Sequence, residues 1–283
     1  MPDSIEFLGF GEAGQMFART LRVHQPNLKI TAWDRLLDAP DDTMRDVMVA
    51  ENVDAIRPEQ FGRADWIISA VTADQSLLAA ESIAKHIMQG QVYFDINSVS
   101  PARKKATAAL VAAKGADYID MAVMAPVIPK GHATPTLIAG ETASQISETL
   151  ATLGFDFRNV GTDPGQATAI KMVRSLFVKG LEAITVETLL AAEASGCYDD
   201  ILASLRGSFP GLDWDTLPGY QFERSIRHGK RRAAEMRESA ETIDDLGLTG
   251  ALAAAVAEVQ DKMAETLAPD PHNIKDILAR RLK

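Results

Sequence analysis

The sequence contains a single cysteine, Cys197, among its 283 residues. One thiol cannot form an internal disulfide, and it cannot supply the several thiolate ligands of a cysteine-rich metal site. A disulfide-stabilised scaffold is therefore excluded, and we expect the protein in the reducing cytoplasm. The five histidines have no metal-ligand spacing, so we predict no metal site.

Long apolar runs and an excess of positive charge are also lacking. No stretch of about 18 apolar residues occurs, so the sequence predicts no membrane-spanning helix. The start, MPDSIEFLGFG, does not have the basic region of a targeting segment. Lys and Arg number 29 against 39 Asp and Glu, a formal net charge of −10. This balance disfavours nucleic acid and anionic membranes as partners.

The first half of the chain alternates between strand-like and helix-like segments. Strand-like runs rich in β-branched and apolar residues occupy 5–10, 29–34, 65–71, 91–97, 117–123 and 136–140. Helical patterns lie between them at 12–24, 41–50, 74–89, 101–114 and 142–152. This alternation predicts a doubly wound, mainly parallel sheet with helices on both faces.

The second half shows only helical spacing. The predicted helices are 165–195, 199–208, 218–246, 248–267 and 272–282. The turn-like stretch NVGTDPG, 159–165, precedes them, with Asp163 as the expected N-cap. We therefore predict an α/β domain over 1–162, followed by an all-α domain over 163–283.

The stretch GFGEAG follows the first predicted strand and opens the first predicted helix. Its glycines, Gly9, Gly11 and Gly14, have the spacing of a dinucleotide-binding turn, and Asp34 ends the next strand. In a Rossmann fold these glycines allow a tight turn and close approach of the pyrophosphate, and the acid binds the adenosine ribose. The cofactor predicted is NAD, because Asp34 would repel a 2′-phosphate. The adjacent Arg35 keeps NADP open as an alternative.

Further cofactor contacts are expected where later strands end, since these ends form the binding crevice of a doubly wound sheet. Ser98 lies there as a candidate contact to nicotinamide or substrate, whereas Ser100 is expected to cap the helix that begins at Pro101. The predicted cofactor contacts are Gly9, Phe10, Gly11, Glu12, Ala13, Gly14, Asp34, Arg35, Val71, Thr72 and Ser98.

Four stretches together resemble the β-hydroxyacid dehydrogenase superfamily, which includes 6-phosphogluconate and 3-hydroxyisobutyrate dehydrogenases. They are FLGFGEAGQMFARTL, DINSVSP, YIDMAVMAP and GQATAIKMVRS. The second half, with KMVRSLFVKGLEA and HGKRRAAEMRE, is similar to a branch of 6-phosphogluconate dehydrogenase-like proteins that has its own helical C-terminal domain. The resemblance implies a Rossmann domain, an NAD(P)-dependent oxidoreductase, a small-molecule substrate and a homodimer.

The resemblance places Lys171 on the family's catalytic lysine, a general base in oxidation and a general acid in reduction. Desolvation on a mostly buried helix and the cation of Arg174, three residues on, would both disfavour the charged amine. The alternative is a lysine whose stem packs while its amine reaches solvent.

The substrate pocket departs from the family pattern. The family's Ser-Gly-Gly is replaced by Met124, Ala125 and Pro126, and a family asparagine by Arg174 or Ser175. Met124 therefore predicts a medium-sized, partly apolar substrate, while Arg174 is expected to bind either a substrate carboxylate or an acid of a neighbouring helix. The predicted substrate contacts are Asp120, Val123, Met124, Ala125, Arg174, Ser175 and Lys230. His132, near the predicted cleft, is a further candidate, although the more common place for such histidines is the surface or a loop.

The resulting hypothesis is hydride transfer between nicotinamide and a hydroxyl-bearing carbon, or its carbonyl, with Lys171 as general acid and base. Three alternatives stay open. The first is a redox-neutral C–C lyase that oxidises its substrate transiently with bound NAD, the second is an imine reductase, and the third is a non-catalytic nucleotide-binding protein.

Overall fold

The computed structural model describes residues 1–39, 43–266, 270 and 273–282 of the chain. It divides into two compact units, Met1–Lys171 and Met172–Lys283. The division falls inside a helix, and the domain boundary that we place at 162/163 from the sequence stays a prediction. Among the described residues, no helix is both long and apolar enough to cross a membrane.

The first unit contains one eight-stranded sheet with the order β3-β2-β1-β4-β5-β6-β7-β8. Its strands are β1 (Ser4–Leu8), β2 (Lys29–Trp33), β3 (Asp54–Ala55), β4 (Trp66–Ser69), β5 (Val92–Asp95), β6 (Asp117–Val123), β7 (Thr136–Ala139) and β8 (Phe157–Gly161). Neighbouring strands run parallel, except that β6 and β7 are antiparallel. The doubly wound, mainly parallel sheet is thus confirmed. The sequence missed β3, which has two residues, and β8, whose half-exposed FRNVG has no apolar run.

Helices separate most of the strands, and the elements that the structure describes after β8 are all helices. They are α1 (Glu12–His24), α2 (Thr43–Ala50), α3 (Ser76–Ile83), α4 (Pro101–Ala112), α5 (Ala143–Thr152), α6 (Gln166–Ala194), α7 (Tyr198–Ser208), α8 (Leu217–Asp245), α9 (Ala251–Ala264) and α10 (Ile274–Arg281). This arrangement confirms a Rossmann-like α/β region followed by a helical segment. Parts of predicted helices at 41–42, 267 and 272 lie outside the described residues.

The sheet is buried on both faces, which explains the continuous apolar runs in its strands. Ile67 and Ile68, adjacent in β4, are 0% and 2% exposed and belong to different hydrophobic clusters. Successive side chains of a strand point to opposite faces, so each face of the sheet has its own core.

The helices of the second unit pack closely through small residues. A Cβ on Gly229 of α8 would lie 2.3 Å from the carbonyl oxygen of Gln260 in α9, so this position admits only glycine. Ala233 and Ala257, both buried, share one hydrophobic cluster with Val256. Small side chains therefore allow α8 and α9 to approach each other closely.

His132 is buried in the first unit rather than placed in an open cleft. Its Nε2 donates to the carbonyl oxygen of Leu153 at 2.9 Å, and its Nδ1 lies 2.8 Å from Thr20 Oγ1. Burial, together with the nearby His24, lowers the pKa of His132 to about 4, although the bond to Leu153 opposes this shift. The sequence-based suggestion of a substrate contact is therefore wrong, because this ring supports packing and is 1% exposed.

The depressed pKa of His132 makes stability depend on pH. Between its ordinary pKa of 6.5 and the folded value of about 4, the unfolded chain binds a proton that the folded protein does not. The free energy of unfolding should therefore fall as the pH is lowered through this window, by up to about 3 kcal/mol. Denaturant unfolding at stepped pH measures this fall. In His132→Gln, which cannot titrate, the fall should be smaller by that amount, and equal falls in both proteins would contradict the assignment.

Candidate functional site

The residues predicted to bind cofactor follow the carboxyl ends of neighbouring parallel strands. The chain leaves β1 toward β2 on one side, and later enters β4 on the other side of β1. This reversal of strand order between β1 and β4 creates a crevice at the carboxyl edge of the sheet, where doubly wound folds bind their ligands. The same edge receives the end of β5, which pairs with β4.

The turn between β1 and α1 is shaped by its glycines. Gly9 has φ +91°, and a Cβ there would lie 2.6 Å from the carbonyl oxygen of Ala70. A Cβ on Gly14 would lie 2.9 Å from the carbonyl oxygen of Gly9, so helix and turn are in close contact. At Gly11, by contrast, a Cβ would meet nothing within 4 Å, and no side chain caps α1 at this residue. An anionic group can therefore approach the first amides of α1, from Glu12 and Ala13 onward.

Asp34 directly follows β2 and is fixed toward this turn. Its Oδ2 accepts a hydrogen bond from the backbone N–H of Phe10 at 2.8 Å, and its Oδ1 accepts one from Leu36 N–H at 2.9 Å. Each carboxylate oxygen retains acceptor capacity for a ribose hydroxyl. The ring of Phe10 is 0% exposed and packs against Phe7 at 5.9 Å, so this residue shapes the turn from the core side. Arg35 is exposed beside Asp34.

The ends of β4 and β5 are joined by a buried amide that the sequence did not single out. Asn97 Oδ1 accepts from the backbone N–H of Val71 at 2.7 Å, and its Nδ2 donates to Ser69 Oγ at 2.9 Å. Asn97 thereby fixes the loop that carries Val71 and the exposed Thr72. The available signal was its place in DINSVSP, directly before Ser98.

Lys171 and Ser98 meet at this edge although they lie 73 residues apart in the chain. The Lys171 ammonium donates to Ser98 Oγ at 2.6 Å, and both residues are partly buried. Ser98 follows β5, whereas Lys171 occupies the second turn of α6. Ser100 caps α4 as predicted, accepting from Arg103 N–H. The arrangement brings an amine and a hydroxyl together at the edge of the sheet.

A group of buried charges lies behind this pair. Lys104 Nζ lies 2.9 Å from Asp95 Oδ1 and 3.3 Å from Asp120 Oδ1, and all three side chains are 0% exposed. The Tyr118 hydroxyl donates to Asp95 Oδ2 at 2.9 Å. Burial raises the pKa of Asp120, while the charge of Lys104 and a hydrogen bond from Thr168 N–H oppose that shift. Burial and the neighbouring Asp95 and Asp120 raise the pKa of Tyr118.

Asp120 is therefore reassigned. The sequence predicts it as a substrate contact, whereas its carboxylate is enclosed and binds groups of the protein itself. Oδ2 accepts from Gly165 N–H at 3.1 Å and from Thr168 N–H at 2.9 Å, at the start of α6. The predicted cap, Asp163, is also corrected, because α6 begins three residues later, at Gln166.

The remaining substrate candidates have varied surroundings. In the first unit, Val123 is 8% exposed and packs in the core, which leaves little of its side chain for a substrate. Met124 is half-buried and Ala125 is exposed. Both follow β6, so their contact with substrate stays a prediction.

In the second unit, Ser175 is 5% exposed and accepts a hydrogen bond from Lys179 at 3.2 Å. Lys179 in turn pairs with Glu235 at 2.8 Å, so Ser175 belongs to an internal polar group of this unit. Arg174 and Lys230 are exposed, on α6 and α8. Their roles stay predictions. Among the residues that the structure describes, no group of three or more His, Cys, Asp or Glu side chains is placed to hold a metal ion.

Comparison with known families matches both parts of the chain. The family described as the NAD binding domain of 6-phosphogluconate dehydrogenase matches residues 4–155. A family described as a domain of unknown function (DUF1932) matches residues 192–263, from the end of α6 into α9. These matches confirm the resemblance to 6-phosphogluconate dehydrogenase-like proteins with a helical C-terminal domain of their own. They also confirm NAD(P) as the cofactor.

Individual proteins and solved structures that are similar to this chain include dehydrogenases of the same fold. A conserved hypothetical protein from Sinorhizobium meliloti 1021 is 33% identical, with a TM-score of 0.77 over 99% of this chain and 97% of that chain. The 3-hydroxyisobutyrate dehydrogenase of Mycobacterium tuberculosis, solved with L-serine, shares the fold at 17% identity, with a TM-score of 0.75 over 99% of each chain. The 2-(hydroxymethyl)glutarate dehydrogenase of Eubacterium barkeri is 29% identical over 128 residues, 44% of this chain and 42% of that protein. The chain spans 66% and 42% of the lengths of the curated relatives it matches.

Two glycine variants separate the folding role of the turn from its cofactor role. Gly9→Ala should lower the free energy of unfolding of the cofactor-free protein by about 2 kcal/mol or more, because Ala70 obstructs the new methyl group and φ is positive. Gly11→Ala should change it by less than about 1 kcal/mol, since its methyl group enters open space.

The same Gly11 methyl group occupies the expected path of the pyrophosphate. Gly11→Ala should therefore raise the Kd for NAD⁺ by about tenfold or more, equivalent to about 1.4 kcal/mol. Denaturant unfolding and isothermal calorimetry measure the two quantities. Unchanged NAD⁺ affinity in Gly11→Ala would refute this placement of the cofactor.

Proposed function

Because the chain belongs to the family of the NAD binding domain of 6-phosphogluconate dehydrogenase, we propose that it is an NAD(P)-dependent oxidoreductase of the hydroxyacid dehydrogenase type. In this proposal a hydride moves between nicotinamide and a hydroxyl-bearing carbon, or its carbonyl, of a small-molecule substrate. The homodimer and the cytoplasmic location expected from the sequence stay predictions.

The observation that carries the proposal is the 2.6 Å hydrogen bond between Lys171 and Ser98. Bound nicotinamide would accept the hydride in oxidation and return it in reduction. The amine of Lys171 would take the hydroxyl proton as the carbonyl forms, and would give it back in the reverse direction. Ser98 would hold the amine in place and lend its hydroxyl to the substrate oxygen.

The position of Lys171 near the start of α6 supports this role. The first turns of a helix carry a partial positive charge, which favours the negative charge that develops on a substrate oxygen as its proton is removed.

The substrate class follows from the relatives and from one difference in sequence. Relatives with assigned names act on 3-hydroxyisobutyrate and 2-(hydroxymethyl)glutarate, and both compounds combine a hydroxyl group with a carboxylate. Met124 and Ala125 stand where the family has a small, anion-binding Ser-Gly-Gly segment. We therefore propose a hydroxy acid with a larger or more apolar substituent, medium-sized overall. Arg174 remains a candidate for binding its carboxylate.

NAD is the cofactor that Asp34 favours. Its carboxylate is held by Phe10 and Leu36 at the end of β2, where the adenosine ribose of a Rossmann cofactor binds. A 2′-phosphate placed there would meet a fixed negative charge. No contact among the described residues specifically favours the lyase, the imine reductase or the non-catalytic protein, so these stay alternatives.

Replacing Lys171 by Met removes the amine and keeps a similar volume. Turnover of the fastest substrate among 3-hydroxyisobutyrate, 2-(hydroxymethyl)glutarate and L-serine should fall by about 10²–10⁴-fold, since the general acid and base is lost. NAD⁺ affinity should stay unchanged. The control is Lys105→Met, an exposed lysine of α4, which should keep wild-type turnover. Near-wild-type turnover in Lys171→Met would rule out the proposed mechanism.

Neutralising Asp34 should shift cofactor preference. In Asp34→Asn, the ratio of kcat/KM for NADP⁺ to that for NAD⁺ should rise by about tenfold, which corresponds to about 1.4 kcal/mol of removed repulsion. Asp38→Asn, which removes an exposed acid four residues on, should leave the ratio within about twofold. Steady-state kinetics with both cofactors test this, and an unchanged ratio in Asp34→Asn would contradict the assigned ribose contact.

A further inference from the structure

The first turn of α6, the helix that carries Lys171, is held by side chains from other elements. The opening N–H groups of a helix have no partners within it and need acceptors elsewhere. Here the carboxylate of Asp120, on β6, accepts from Gly165 N–H at 3.1 Å and from Thr168 N–H at 2.9 Å. One fully buried oxygen therefore fixes two successive points of the backbone that leads to Lys171.

Asp120 is in turn fixed by Lys104 of α4. The ammonium of Lys104 lies 3.3 Å from Asp120 Oδ1 and 2.9 Å from Asp95 Oδ1, and it donates to the backbone carbonyl of Asp95 at 2.6 Å. Among the described residues Asp120 Oδ1 has no hydrogen-bond donor, so the charge of Lys104 is what holds this oxygen. The carboxylate of Asp120 is thus oriented by a cation that has no freedom to move toward solvent.

A second tie joins α6 to the loop that carries Ser98. Thr168 Oγ1 donates to the carbonyl oxygen of Val99 at 3.1 Å. Val99 is the residue after Ser98, and Thr168 lies three residues before Lys171, on the same side of the helix. The Thr168–Val99 bond therefore runs beside the Lys171–Ser98 bond and limits the distance between their backbones.

We propose that Asp120, held by Lys104, is a positioning residue for Lys171. Its carboxylate sets the rotation of the first turn of α6 so that the amine meets Ser98 Oγ. An error of one residue in helix rotation would move a side chain by about 100° around the axis, so a fixed first turn is a geometric requirement. This inference rests on the proposed function, in which Lys171 exchanges the substrate proton.

The competing interpretation is that Asp120 only stabilises the fold. That interpretation predicts a loss of stability without a specific change at Lys171. A matched control is Glu6 of β1, a buried carboxylate that also accepts two backbone N–H groups, from Gly62 at 2.9 Å and Arg63 at 3.1 Å. Within the described part of the chain, the Glu6 carboxylate forms no hydrogen bond with α6.

The test compares wild type, Asp120→Asn and Glu6→Gln in the full chain. Asp120→Asn keeps the size and shape of the side chain and removes the negative charge that pairs with Lys104. Hydrogen exchange of a peptide spanning 164–172 reports on the first turn of α6. Acetylation of Lys171 by limiting acetic anhydride, normalised to the exposed Lys105, reports on the environment of the amine.

In Asp120→Asn, exchange of the amides of residues 165 and 168 should accelerate by about tenfold or more, because their acceptor is weakened. The relative acetylation of Lys171 should change by about threefold or more, as its contact with Ser98 is lost. Glu6→Gln should alter neither quantity, whatever its effect on stability. Wild-type exchange and acetylation in a folded Asp120→Asn protein would overturn the inference.

If Asp120→Asn does not fold, Thr168→Val replaces it. This variant preserves volume and removes only the hydrogen bond to Val99. It should change Lys171 acetylation in the same direction, by about twofold or more, and unchanged acetylation would then count against the inference.

Turnover separates failure of the inference from failure of the proposed function. Asp120→Asn should lower kcat by about 10–100-fold with an unchanged Kd for NAD⁺, because a misplaced amine slows proton transfer. In a Lys171→Met background, the same change should lower kcat by less than about twofold, since it acts through the amine. If Lys171→Met alone retains turnover, the proposed function fails while the exchange and acetylation results still judge the positioning role. If Lys171→Met lowers turnover by the expected 10²–10⁴-fold and Asp120→Asn lowers the residual turnover by a further 10–100-fold, only the positioning role fails.

Discussion

The ion-pair group in which Lys104 bridges Asp95 and Asp120 is the interaction on which the geometry of the candidate site depends. It joins the end of β5, the helix α4, the strand β6 and the start of α6 through one fully buried ammonium. Buried charges of this kind are costly unless they are paired with opposite charges and hydrogen-bonded. Here the carboxylates also bind Tyr118, Thr168 and Gly165, so the group fixes the relative placement of four elements.

The geometry of the predicted cofactor site depends instead on how much room surrounds the backbone of the glycine turn. Gly9 lies where a side chain cannot fit, and Gly11 lies where one would fit but nothing of the protein occupies the space. Asp34 ties the end of β2 to the amide of Phe10, so the turn is shaped before any ligand arrives. Preorganisation of this kind lowers the entropy lost on binding. The loop after β4 is fixed in the same way by Asn97.

Several buried polar side chains of the second unit pair with one another. Lys179 pairs with Glu235 and bonds to Ser175, and Arg232 pairs with Glu182. One of these contacts involves Ser175, which the sequence presents as a candidate for substrate binding. Ser175, which stands near a family asparagine position, is an acceptor within this network. The exposed Arg174 is the residue of this stretch that stays available for a substrate anion in our proposal.

The sequence by itself determined the alternation of strands and helices, the glycine turn with Asp34, and the position of Lys171. Each of these depends on local periodicity, on backbone conformations that favour glycine, or on a motif of few residues. The tertiary structure alone decided the roles of Asp120, Lys104, Asn97 and His132. Asp120 and Gly165 lie 45 residues apart, and Lys171 and Ser98 lie 73 apart, so no local pattern encodes these contacts. Whether a buried carboxylate binds a substrate or a helix start depends on which backbone amides the fold brings within hydrogen-bonding distance, and that is fixed only when the strands and helices pack together.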